Sequence, residues 1–122
     1  AEIGSSLLAL DKPELLAMAG GSPGALLSHL RAWQLVPEEL WHRLEDRPQK
    51  PMDALALARD ITEALNGEQQ LWLINWWQQH LWIQQSDPNP LNRLERLRSH
   101  LLGFVQPRLA WEVALLELIP ST

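Results

Sequence analysis

The chain has 122 residues, enough for one domain or for a domain with part of another. Hydrophobic residues make up 46%, so a packed core can form, and 10 Lys+Arg against 15 Asp+Glu give a formal net charge of -5, which argues against the whole chain being a nucleic-acid binder. The absence of cysteine excludes a disulfide framework, thiolate chemistry and cysteine-ligated zinc.

In chain order, Asp11 with Glu14 three residues later makes a capping-box pattern, with Pro13 in the first turn, and predicts a helix from about Lys12 to Ala19. The run Gly20-Gly21-Ser22-Pro23-Gly24 then closes that helix and opens the next. A glycine takes the positive φ of the C-terminus, Ser22 caps, and Pro23 suits the first position of a helix reaching about Gln34. Pro37 starts a third helix, with Leu40, Trp41 and Leu44, that ends near Asp46. A polar, proline-bounded loop over 46–51 leads to a fourth, where Leu57, Ile61 and Leu65 recur beside Ala54 and Ala58 and Asn66-Gly67 makes the stop. The fifth runs from Glu68 to about Gln85, with Leu71, Ile74, Trp77 and Leu81 widened by Trp72, Trp76 and Trp82. Asn89 caps a sixth, carrying Leu91, Leu94, Leu97 and Leu101 and ending at Gly103, and Pro107 opens a seventh with Leu109, Val113, Leu116 and Ile119 on one face. No period-2 alternation is long enough for a strand, and no solenoid repeat occurs, so the fold reads as an all-α helical bundle.

No apolar stretch approaches the ~20 residues that span a bilayer, and the first residues lack the basic and apolar regions of a signal peptide. A start at Ala1 rather than Met reads as a fragment or a processed product.

The residues offer little for catalysis. Glu39 and His42 match Glu-x-x-His, the spacing of carboxylate-bridged di-iron bundles, but such a site needs a second copy and the sequence has none. A solvated helix face and no metal are expected there. No serine lies in a Gly-x-Ser-x-Gly elbow, and Gly20 to Leu27 lacks the lysine of a P-loop, so a tight helix corner is expected rather than a phosphate site. The arginines 93, 96 and 98 read as a solvated polar face. Seven tryptophans stand out, with Trp72, Trp76 and Trp77 crowded into one helix and Trp82 after them. Either that helix is central to the domain, or one side of it meets a partner.

The order of these motifs resembles a known family. Gly20-Gly21-Ser22-Pro23-Gly24-Ala25-Leu26 is similar to the segment near the end of the AAA+ module in delta-prime subunits of bacterial DNA polymerase III clamp loaders. The stretch Gln106-Pro107-Arg108-Leu109-Ala110-Trp111-Glu112 resembles the closing helix of clamp-loader subunits, which commonly reads Asn-Pro-Arg-Leu-Ala-Leu-Glu. Gln106 departs from the usual asparagine and Trp111 from the usual leucine. Leu71-Trp72-Leu73-Ile74 and the helix from Leu91 to Leu102 fall between them in the expected order, so the likeness covers essentially the whole chain.

The resemblance implies a layout and a role. Residues 1–35 would be the end of an AAA+ lid and residues 36–122 a helical collar, the oligomerisation domain that packs against other subunits. It further implies partners of the gamma/tau-like and delta-like kinds, contact with DNA only through the complex, no membrane partner and a cytoplasmic location. In ATP-using relatives the fourth position of the segment matching Gly21, Ser22, Pro23 and Gly24 is a second-sensor arginine; here it is Gly24. Arg31, seven residues on, lies ~10 Å further along the helix axis. A degenerate sensor implies a chain that is not an enzyme and holds no cofactor. The candidate subunit interface comprises Trp72, Trp76, Trp77, Trp82, Arg108, Trp111 and Glu112. Two other readings are a freestanding helical adaptor with a tryptophan-rich groove for a peptide or helix, and a helix-turn-helix DNA binder, which the acidic balance disfavours.

Overall fold

The computed structural model describes residues 12–85, 88–103 and 106–119. Among them are seven α-helices and no strand: α1 Pro13–Ala19, α2 Pro23–Leu35, α3 Glu38–Asp46, α4 Pro51–Ala64, α5 Gly67–Gln85, α6 Pro88–Leu102 and α7 Pro107–Leu118. The fold is all-α, as the periodicity predicts. Five of these helices begin on proline, whose missing N–H costs nothing at a position where the helix has no acceptor for it.

The glycine corner forms as expected. Gly20 sits at φ 58, ψ 31 and Gly21 at φ 87, conformations that a Cβ would disfavour. Ser22 accepts a hydrogen bond at its Oγ from the Ala25 N–H at 3.2 Å and caps α2.

Other boundaries shift, each for a local reason. Pro37 is the N-cap of α3 rather than its first residue. Asn66 does not stop α4, which ends at Ala64; it starts α5. Its Oδ1 accepts from the Gln69 N–H at 2.9 Å, while Gln69 Oε1 accepts from the Asn66 N–H at 2.8 Å, a reciprocal capping box. Asn89 lies inside α6 because Pro88 already begins it. Asp11 lies outside the described residues. Lys12 stands at the N-cap of α1 without a side-chain bond, and Gln106 does the same for α7.

The helices pack in an order unlike their order in sequence. α2 lies on α1, α1 on α5, α5 on α6, α6 on α7, and α7 returns to cover α4, which also carries α3. One hydrophobic cluster runs through all of them, from Leu15 and Leu30 by way of Leu40, Leu57 and Trp77 to Leu97 and Leu115. It crosses the 35/36 boundary, so the first two helices share their core with the rest.

Two polar ties fix the α3–α4 region. Arg43 binds Asp60 at 2.6 Å, and the guanidinium of Arg43, helped by Arg59, holds the Asp60 carboxyl below the usual carboxylate range. In the turn between the helices Arg47 takes φ 57, ψ 139, rare for a residue with a side chain, and its Nη2 donates to the carbonyl of Leu118 at 3.0 Å.

α7 buries a different face from the one its leucine spacing suggests. Ala110, Trp111, Ala114, Leu115 and Leu118 point into the core. Leu109, Val113 and Leu116 point outward.

Candidate interaction surface

Trp33, Trp41, Trp72 and Trp76 form a continuous seam where α1, α2 and α3 meet α5. Trp33 stacks on Trp41, with centroids 5.2 Å apart and planes at 16°. Trp41 meets Trp76 edge-on at 4.4 Å and Trp72 at 6.2 Å. His80 lies flat on Trp76 at 4.9 Å and 11°. Such ring pairs contribute ~0.5–1.5 kcal/mol each beyond the area they bury, so the seam is held by geometry as well as by exclusion of water.

Three of these rings have a polar atom that is matched individually. Trp41 Nε1 donates to the Trp33 carbonyl at 3.1 Å, and Trp72 Nε1 donates to His29 Nδ1 at 3.0 Å. His80 Nδ1 sits 3.0 Å from Glu14 Oε1, with the two side chains 14% and 11% exposed. The His80 hydrogen bond keeps the Glu14 carboxyl below its ordinary value, against the opposing pull of burial. Lys12 Nζ lies 4.5 Å over the Trp33 ring.

The outer surface of α7 is of a different kind. Leu109, Val113 and Leu116 are 50%, 42% and 39% exposed and recur every three or four residues, so they form one stripe. Charged pairs border it. Arg108 faces Glu112 at 3.7 Å, Arg96 reaches Glu117 at 3.2 Å, and Arg93 donates to the Glu117 carbonyl. An apolar centre with a charged rim is the composition of a protein–protein contact. Leu102 at the end of α6 is exposed as well.

Elsewhere the side chains offer little for chemistry. Among the described residues no three His, Cys, Asp or Glu side chains gather as a metal site would require. Glu39 pairs with Arg43 at 3.5 Å, and His42 lies 3.8 Å from Glu38 on the solvent face. An open hollow of ≈ 290 Å³ beside the α3–α4 turn is lined by His42, Arg43, Asp46, Arg47, Gln49 and Asp53 among others, and both its arginines are already bonded within the chain. Arg98 binds Glu95, Asn75 and Gln78, tying α6 to α5. Among the described residues no helix is long and apolar enough to cross a membrane.

A family model for the C-terminal domain of cyanobacterial DNA polymerase III delta prime matches residues 4–118. The chain belongs to this family. No curated protein and no solved structure gave a match. Delta prime is a clamp-loader subunit, so the chain is a piece of the DNA polymerase III assembly that loads sliding clamps.

Within this delta-prime C-terminal domain the candidate residues separate into three groups. Trp76, Trp77 and Trp111 move from a candidate contact surface into the core: they are 3%, 0% and 0% exposed and hold the chain's own helices together. The Trp111 N–H donates to Gln70 Oε1 at 2.9 Å, and Gln70 Nε2 donates to the Leu65 carbonyl at 3.0 Å, which locks α7 to the α4–α5 turn. The indole N–H groups of Trp76 and Trp77 are buried without a partner among the described residues, so these two side chains act through bulk. Trp72 is half-buried and bonded to His29. Trp82 remains 49% exposed with Ile83 beside it in sequence, and Arg108 and Glu112 lie at the rim of the α7 stripe. Gly21, Ser22, Pro23 and Gly24 are all exposed, and a Cβ added to Gly24 would meet nothing within 4 Å.

The sequence reading missed that α7 is apolar on two opposite faces. The signal was present, since Leu109, Val113 and Leu116 lie across the helix from Ala110, Trp111, Ala114 and Leu118. The Glu14–His80 pair had no such signal, because its members are 66 residues apart.

Proposed function

We propose that this domain is an assembly module of the clamp loader, holding neighbouring subunits through the outer stripe of α7 and the Trp82–Ile83 end of α5. The observation that carries the reading is that α7 remains apolar after its core face is fully buried. A short helix gains nothing in solution from exposing leucine at two positions and valine at a third. The neighbours would be gamma/tau-like and delta-like subunits, and DNA would be reached only through the complex. The two helices before residue 36 are the end of an AAA+ lid and the remainder is the collar. Gly24 stands where ATP-using relatives place a cationic sensor, which supports a chain that neither hydrolyses ATP nor holds a cofactor. Its place of work is the cytoplasm.

The test is retention. The tagged chain, mixed with purified loader subunits, should hold at least one of them, and Val113→Asp should release it while the helical circular dichroism stays unchanged. Failure of the unaltered chain to retain any loader subunit would overturn the reading, as would retention indifferent to charge at Leu109, Val113 and Leu116. ATP turnover by the purified chain should match the buffer blank, and turnover above it would contradict the non-enzymatic part of the reading.

A further inference from the structure

The first two helices behave as a hairpin. α1 and α2 pack on each other around the Gly20 corner, and the pair rests on the bundle mainly through α1 on α5. α2 itself fully buries only Leu30. Among the described residues, two side-chain pairs carry polar bonds from the hairpin to α5, His29 with Trp72 and Glu14 with His80, and each uses a histidine.

The two histidines have opposite proton requirements. An indole N–H donates and never accepts, so the 3.0 Å contact of Trp72 Nε1 with His29 Nδ1 is a bond only when that nitrogen carries no proton. An imidazolium would set two N–H groups against each other. At His80 the partner is a carboxylate, which accepts from a neutral imidazole N–H and from an imidazolium alike, so the bond survives in both states.

We infer that His29 is a proton-operated release for α2. Its protonation breaks the bond to Trp72 and loosens the α2 edge of the hairpin, while the Glu14–His80 clasp keeps α1 anchored as the pivot. Histidine is the side chain whose ordinary titration falls in the physiological range. The other charged groups on the adjoining elements do not take over this role. Lys12 lies beside Glu14 and over Trp33, on the α1 side. Arg31 on α2, Glu68 on α5 and the α3 groups Glu38, Glu39 and His42 are exposed, where salt screens them within ~10 Å. Leu15 and Leu30 in the core cluster, with Met18 and Leu26 against it, keep the hairpin attached in both states. The change is therefore a loosening, and the corner from Gly20 to Gly24 moves with it relative to α5–α7.

The experiment is a titration of the whole chain by nuclear magnetic resonance from about pH 8 to about pH 5. The Trp72 indole resonance should move with the midpoint of the His29 imidazole. Amide protection factors in α2 should fall about fivefold, the worth of one ordinary hydrogen bond, while those of α6 and α7 hold. His29→Asn puts an amide oxygen where Nδ1 lies, and should keep α2 protected at every pH. A Trp72 resonance that stays still while His29 titrates overturns the inference, as does a His29 that never titrates in this range. A pH dependence undiminished in His29→Asn overturns it too. Should that variant fail to fold, the His29–Trp72 correspondence in the unaltered chain decides the matter alone.

Discussion

The two sides of the bundle are joined by different means. Where α4, α6 and α7 meet, the contact is largely aliphatic: Ala54, Leu57, Ala58 and Ile61 on one helix, Leu94 and Leu97 on another, Ala114, Leu115 and Leu118 on the third. Its one large ring, Trp111, has its polar atom answered by Gln70. Where α1, α2 and α3 meet α5, the contact is aromatic, and the ring nitrogens of Trp41, Trp72 and His80 each have a named partner. Aliphatic burial is roughly proportional to area and indifferent to direction and pH. An aromatic seam adds direction, and through its histidines and Glu14 it adds a dependence on protons. One side is built to stay closed and the other to respond.

Removing the ring on the aliphatic side should do the most damage. Trp111→Ala should cost about 3–5 kcal/mol, read from urea unfolding, because it opens a large cavity and leaves buried Gln70 without its donor. Trp111→Phe separates the two effects, and its smaller loss reports the orphaned amide. Next comes the hairpin corner. Ser22→Ala should cost about 1 kcal/mol, since it deletes the cap that receives the Ala25 N–H, and thermal unfolding measures it.

The proton dependence of the responsive side is read through Glu14. Its carboxyl has a lower value in the folded chain than the ordinary 4.5, so its contribution is complete above 4.5 and is lost as pH falls through the folded value. Glu14→Gln should therefore be less stable than the unaltered chain near neutrality, and the gap should close in acid. A gap independent of pH would remove Glu14 from the seam's energetics. The smallest effect on stability belongs to the outer stripe: Val113→Asp should change unfolding by no more than about 0.5 kcal/mol while abolishing retention of partner subunits. A large loss of stability there would mean that Val113 is a core residue of this chain after all.

Much of the architecture was legible in the sequence, and the reason is punctuation. Prolines 13, 23, 51 and 107 and the Gly20–Gly21 stop act through the backbone alone, so they read correctly without knowledge of the tertiary fold. The spacing of Leu57 and Ile61 along α4, continued by Leu65 at its C-cap, also read correctly, because that helix has a single buried face. α7 misled for the opposite reason, since a helix apolar on both sides has no periodicity that says which face is inside. The tryptophans left core and interface open because bulk and hydrophobicity suit both equally, and only the burial of Trp76, Trp77 and Trp111 places those three inside. Asn66 was placed on the wrong helix because its side chain caps whichever start supplies a Gln three residues later, and Gln69 supplied it. The family resemblance reached the right assembly through the order of two motifs, which no single contact in the bundle would have supplied.

The bond from Arg47 to the carbonyl of Leu118 has a consequence for how the molecule is made. The helix that covers α4 is the last of the described residues to leave the ribosome. During synthesis the face carrying Leu57 and Ile61 therefore stays uncovered until translation has passed residue 118. Bridging 71 positions makes this a late, long-range closure. A nascent chain stalled before α7 should be bound by holdase chaperones at α4, and completing it should set the chain free.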